Sequence, residues 1–181
     1  TGGKLDIAFL GNETVVIVAM AQALYEPSGL SGFSRLVALR SDDGGVTFGP
    51  PAQLDDSLTR FSEPLFPYLA ADAVNGTALV VWQEEHRAVS KGMGLLPGSV
   101  APVRRMFTAT FDGGLTWSSA ASFDDVEKPA SRTMDALIAS DGSWVVANSE
   151  QDPNCSPGPA ASPCATWLQT QLNASVTEAG F

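Results

Sequence analysis

The chain has 181 residues, 44% of them hydrophobic, with a mean hydropathy of +0.07, the composition of a folded globular domain rather than of a disordered segment. Ten Lys and Arg against twenty Asp and Glu leave a net charge of −10, which repels phosphate backbones and anionic lipid and excludes nucleic acid as an expected partner. The longest apolar runs, Thr14 to Met20 and Thr77 to Trp82, fall far short of the ~20 residues a membrane helix needs, so no membrane insertion is expected.

In chain order, "LDIAFL" at 5–10 reads as a short strand, the polar "GNET" turns the chain, and the β-branched run from Val15 to Val18 returns it. After a longer loop, "RLVALR" at 35–40 forms a third strand and leads into "SDDGGVTF" at 41–48. The order then recurs with "FPYLAADA" at 66–73, a turn at "NGT", the run Ala78 to Trp82, a loop, "RRMFTAT" at 104–110 and "TFDGGLTW" at 110–117. A third round has "MDALIA" at 134–139, a turn at "DGS", "WVVA" from Trp144, a loop, and "ATWLQTQ" at 165–171, with "LNAS" where another motif would fall. Thr14, Thr77 and Ser143 hold equivalent places 63 and 66 residues apart, and the two motifs are offset by 69.

Each round is a meander of short antiparallel strands. No window carries helical apolar spacing over ten or more residues, and 17 Gly and 12 Pro punctuate the turns, so the expected class is all-β. Three repeats, each with two sheet faces to bury, predict four-stranded antiparallel blades of one partial β-propeller, at approximately 1–60, 61–127 and 128–181. A β-sandwich shares the short strands and frequent turns but predicts no repeat of this length.

The repeated motif has the chemistry of a turn. Asp43 and Asp112 can accept backbone N–H groups a few residues ahead, and Ser41 and Thr110 can add a hydroxyl bond. Gly45 and Gly114 supply positive φ, Thr47 and Thr116 follow, and Phe48 and Trp117 leave as apolar anchors expected to wedge against the sheet. The pattern S-x-D-x-G-x-T-[F/W] resembles the Asp-box, or BNR repeat, of the sialidase superfamily and related propellers; Thr110 in place of Ser is a conservative departure. The resemblance covers essentially the whole chain, as two clear units and a third degenerate one. It implies the propeller fold, but not one activity, because Asp-boxes occur in hydrolases, lectins and receptors alike.

Strand alternation puts first-to-second and third-to-fourth turns at one end of each blade and the long second-to-third loops, Leu24 to Phe33, Glu84 to Val103 and Glu150 to Cys164, at the other. Four of the five Asn residues, Asn12, Asn75, Asn154 and Asn173, open an Asn-x-Ser/Thr triplet, where chance gives roughly one. Asn12, Asn75 and Asn173 fall at the motif end, so glycans are expected there and partners at the loop end. Cys155 and Cys164 bracket a Pro/Ala/Ser loop, which fits a disulfide in an oxidising compartment; two unpaired thiols are the alternative. An extracellular or cell-surface location through the secretory pathway is expected. With no initiator Met and no basic-then-apolar leader, the sequence is expected to be a mature protein or a piece of a longer one.

The resemblance also implies what a hydrolase would need: an arginine trio on the substrate carboxylate, a Tyr paired with an acid as nucleophile, and an Asp as acid/base. The candidates for the first two roles are Arg35, Arg60 and Arg104, with Arg105 and Arg132 as further possibilities, and Tyr25 beside Glu26. They do not amount to a constellation, and "RFSEP" at 60–64 departs from the family's Arg-Ile-Pro pattern. Tyr68 in "FPYLAA" is expected to pack, and so are Trp82, Trp117, Trp144 and Trp167. His86 lacks metal-ligand spacing, and the acid pairs Asp42 and Asp43, Asp55 and Asp56, Glu84 and Glu85, Asp124 and Asp125 lack an EF-hand ladder and read as solvated turns. No metal or cofactor is expected.

Three blades are too few to close a ring, so the remainder of the same propeller or neighbouring subunits should complete it. The expected function is a secreted glycoprotein module that binds glycans or extracellular proteins in assembly. The alternative is an exo-sialidase-type glycoside hydrolase whose remaining catalytic residues lie outside this chain.

Overall fold

The computed structural model describes residues 5–22, 34–55, 62–86, 102–123, 128–129, 134–151 and 165–172. All regular structure among them is β, and every strand pairing is antiparallel.

Three sheets follow one another along the chain. The first runs in the order β1 (Leu5–Phe9), β2 (Val15–Gln22), β3 (Ser34–Ser41) and β4 (Ala52–Gln53). The second runs β5 (Ser62–Asp72), β6 (Thr77–His86), β7 (Pro102–Thr110) and β8 (Ala121–Ser122), with β9 (Lys128–Pro129) also pairing β7. The third comprises β10 (Met134–Ile138), β11 (Trp144–Gln151) and β12 (Ala165–Leu172). Only the first is a plain four-stranded meander. The second gains a strand, and the third has three among the described residues.

Period-two alternation explains how the sheets stack. On the first sheet Val16, Val18, Leu36 and Ala38 share one face and pack against Ala78, Val80 and Trp82 of β6. The intervening β6 residues, Leu79 and Val81, point the other way and pack with Ala70 and Ala109 against Met134, Trp144 and Val146 of the third sheet. The middle sheet is thus covered on both faces, so "ALVVW" is continuously apolar rather than alternating. Each large side chain so buried contributes about 1.5–3 kcal/mol. Trp144 also stacks on Phe111, with ring centroids 5.8 Å apart.

The first strands of the sheets lie side by side, β1 against β5 and β5 against β10. Asp6 of β1 reaches across the first junction, its Oδ2 accepting the Leu69 N–H of β5 at 3.0 Å. Pairing of β5 with β6 slips between Leu65 and Tyr68, where Phe66 takes φ 52.

Candidate functional site

The ends of the sheets differ in chemistry. At one end, β3 and β7 each run into a motif turn, and the two turns fold through the same bonds. Ser41 Oγ donates to Asp43 Oδ1 at 2.7 Å and accepts the Gly45 N–H at 2.8 Å. Asp43 then accepts the Thr47 N–H at 2.8 Å and the Thr47 hydroxyl at 2.6 Å. In the second turn Thr110 Oγ1 donates to Asp112 and accepts from Gly114 N, while Asp112 accepts both the N–H and the hydroxyl of Thr116. Gly44, Gly45, Gly113 and Gly114 all have φ between +72° and +93°, a region that L side chains resist.

These bonds set the acidity of the carboxylates. The Thr47 hydroxyl, then the Thr47 N–H and the Ser41 hydroxyl, hold Asp43 down at about 2. At Asp112 burial pushes upward, but the bonds from Thr116 and Thr110 outweigh it and the net shift is downward. Asp72 is lowered by the Asn75 side-chain amide and the Val74 N–H, and Asp141 by the Ser143 hydroxyl and N–H, so the first-to-second turns of the second and third sheets use the same device.

The motif turns also lock to their surroundings. Gly44 N donates to the Glu13 carbonyl at 2.8 Å and Gly113 N to the Gly76 carbonyl at 2.9 Å, tying each motif turn to the hairpin turn beside it. Arg40 of β3 forks onto Asp42 and sends its Nε to the Gly113 carbonyl of the next sheet at 2.8 Å. A groove of about 480 Å³ opens between the two turns, lined by Val16, Arg40, Asp43, Thr47 and Trp117 among others. Trp117 packs half-buried against the first core, whereas Phe48 is 39% exposed. Phe48 is thus the more exposed of the two motif aromatics, and the tip of its ring lies near Gly45 of its own turn.

At the opposite end, where chain leaves β2, β6 and β11 for the long loops, the buried charges collect. Asp55, just after β4, accepts the Leu36 N–H at 3.0 Å, and Arg35 lies 3.6 Å from its other oxygen. On the second sheet Gln83 stands opposite Arg105, and Glu84 opposite Arg104. Asp55, Glu84 and Arg105 are nearly inaccessible, while Arg104 is exposed. Asp55 and Glu84 are thus not the solvated turn residues expected. Asp55 closes a backbone N–H next to β4, and Glu84 lies inside β6, which continues to His86.

Arg35, Arg104 and Arg105 share this end, whereas Arg60, Arg132, Tyr25 and Glu26 lie outside the described residues. Tyr68 is half-buried against the second core. Asn12 and Asn75 are exposed at the motif end, and Asn75 Nδ2 donates to Asp72 at 2.6 Å. Asn154, Asn173, Cys155, Cys164 and Trp167's side chain lie outside the described set. No group of three His, Cys, Asp or Glu could hold a metal ion among the described residues. Sequence reading missed Arg40, Asp55 and Asp6; a lone charge within an otherwise apolar strand is the one local signal that marks Asp6.

Among solved structures, the chain is similar to Trypanosoma rangeli sialidase in complex with the inhibitor DANA, with a TM-score of 0.49 and 15% identity over 80% of this chain and 26% of that one. It is also similar to another structure of Trypanosoma rangeli sialidase, with a TM-score of 0.44 and 14% identity over 93% of this chain and 30% of that one. The chain spans less than a third of the length of these proteins. No protein-family model and no curated protein match it.

Proposed function

We propose that the chain is a sialidase-like Asp-box β-propeller segment that binds a polar ligand, carbohydrate in the first place, at the loop end of its sheets. One observation carries this: the charged side chains Arg35, Asp55, Glu84, Arg104 and Arg105 all gather at that end, with Arg104 exposed at the mouth of the loops. The opposite end is occupied by motif turns whose Asp, Ser and Thr groups are spent on one another, and it carries the exposed sequon residues Asn12 and Asn75. A glycan at either position crowds that end and leaves the loop end open, as suits a secreted or cell-surface glycoprotein. The stacking of sheets with their first strands adjacent supports the propeller, each sheet being one blade.

The test is binding of the full chain to an array of sialylated and neutral oligosaccharides, with affinities of the hits measured by calorimetry. Binding weakened at least tenfold by Arg104→Ala, an exposed position, is the expected result; no binding to any oligosaccharide overturns the carbohydrate reading. Turnover of a fluorogenic sialoside by the chain would replace binding with hydrolysis.

A further inference from the structure

β5 departs from its two counterparts. β1 and β10, the first strands of the other sheets, pair with β2 and β11 without a break in register, whereas β5 pairs Leu65 with Gln83 and then Tyr68 with Val81. Phe66 and Pro67 thus stand together opposite Trp82, two residues against one, the count of a β-bulge. Pro67 has no N–H to give the ladder, and proline within a sheet belongs at such a bulge or at an edge. Phe66 takes φ +52°, the one positive φ among the described non-glycine residues. A bulky ring and a following proline each favour extended backbone with negative φ, so this conformation is strained.

The bulge takes Phe66 out of the core. Residues directly opposite in an antiparallel pair share a face, and Trp82 faces the first core. A register continued unbroken from Leu65 would set Phe66 alone opposite Trp82, on the face that is buried there. Instead Phe66 is 44% exposed and belongs to neither core, although Pro67 beside it is buried. The straight pairing of β1 and β10 shows that the stacking of sheets does not demand the bulge. The fold therefore forgoes apolar burial and holds a disfavoured dihedral while presenting one phenyl ring to solvent, a combination that clusters at ligand contacts.

The ring stands beside the loop-end charges. Leu65, the residue before it, lies in one cross-strand row with Gln83 and Arg105, and Pro64 lies in the next with Glu84 and Arg104. Phe66 is three residues before Leu69, whose N–H Asp6 takes, and so falls on the loop side of the tie between β1 and β5. β5 is the edge strand of the middle sheet, and a further sheet at either end of the stack would cover the outer face of the first or third sheet, not this edge. We propose that Phe66 is a platform on which the C–H face of a pyranose ring stacks, while polar groups of the same oligosaccharide reach the exposed Arg104. Two strand spacings, about 10 Å, separate β5 from β7, a distance that a disaccharide spans. The platform rests on the carbohydrate reading above and adds to it an aromatic contact on β5.

Calorimetric titration of the full chain tests it with lactose, which offers two neutral pyranose rings, and with 3′-sialyllactose, which adds a carboxylate. The expected result is binding of at least one of them, weakened at least tenfold in Phe66→Ala and largely restored in Phe66→Tyr, which keeps the ring. Nuclear Overhauser contacts between the Phe66 ring protons and sugar C–H protons are expected in the parent chain, a readout that a merely structural role would not produce. Circular dichroism checks that the variants fold, and if Phe66→Ala does not, the ring contacts in the parent decide. A loss under tenfold in Phe66→Ala, a Phe66→Tyr variant as weak as Phe66→Ala, or absent ring contacts overturns the platform and leaves the carbohydrate reading standing. A parent chain that binds neither sugar also overturns the platform, and the oligosaccharide array then decides the carbohydrate reading separately.

Discussion

Arg40 Nε donates to the carbonyl oxygen of Gly113 at 2.8 Å, across 73 residues of chain, while its guanidinium also holds Asp42. One side chain thereby joins the first motif turn to the second and the first sheet to the next. Arg40→Ala leaves a part-buried carbonyl unpaired and is expected to cost about 1–3 kcal/mol in urea denaturation. Arg40→Lys should recover little, because an ammonium lacks the planar fork that serves both partners. Asp42→Ala, at a mostly exposed carboxylate, should cost less than about 1 kcal/mol.

Acid sensitivity follows from Asp43, whose carboxyl is held at about 2 against an ordinary value of 3.8. A carboxyl whose folded value lies below its unfolded value stabilises the fold above the unfolded value, and that stabilisation is lost as pH falls through the folded one. The loss should therefore run from about pH 4 down to about pH 2. Asp72, Asp112 and Asp141, all shifted downward, act in the same direction. Unfolding midpoints measured through this window should fall less steeply in Asp43→Asn than in the parent chain; equal slopes would refute the latch as the source.

Gly44 and Gly114 both sit at positive φ but differ in surroundings. A Cβ at Gly44 meets nothing within 4 Å, whereas one at Gly114 falls 2.9 Å from Val16 Cγ2 in the first core. Gly44→Ala should cost about 1–2 kcal/mol from backbone conformation alone. Gly114→Ala adds overpacking against a stiff β-branched side chain and should cost about 2–5 kcal/mol. The order of the two urea midpoints checks this.

The strands and turns were legible in the sequence because both signals are local. Alternation over five to ten residues marks "LDIAFL", "RLVALR" and "MDALIA", and paired glycines after an Asp mark the motif turns. What was not legible depends on contacts far apart in sequence. Asp55 reads as half of an acidic pair until β4 brings it back to the Leu36 N–H. Arg40 reads as a strand-ending charge until the second sheet places Gly113 beside it. Phe48 and Trp117 occupy the same motif position, yet among the described residues Trp117 packs on the first core of the neighbouring sheet and Phe48 joins neither core. The loop-end charges were visible as residue types, but their burial was not, since nothing local separates an acid within β6 from one in a solvated turn.

Trp82 is fully buried between the first and second sheets, and its Nε1 has no hydrogen-bond partner among the described residues. Two effects of Trp82→Phe therefore oppose each other. The smaller ring leaves part of its space empty, which costs about 1–3 kcal/mol, and removal of the unpaired donor returns about 1–3 kcal/mol. The variant should stay within about 1 kcal/mol of the parent chain, whereas Trp82→Ala should cost about 3–5 kcal/mol. Trp144 offers the contrast: its ring stacks on Phe111 and meets Phe107 edge-on at 6.3 Å, and its Nε1 is not among the buried unpaired atoms. Trp144→Phe loses volume and aromatic contact with no compensating return, and should cost about 1–3 kcal/mol. If urea denaturation finds Trp82→Phe as costly as Trp144→Phe, the Trp82 indole N–H has a partner that the sheet packing does not supply.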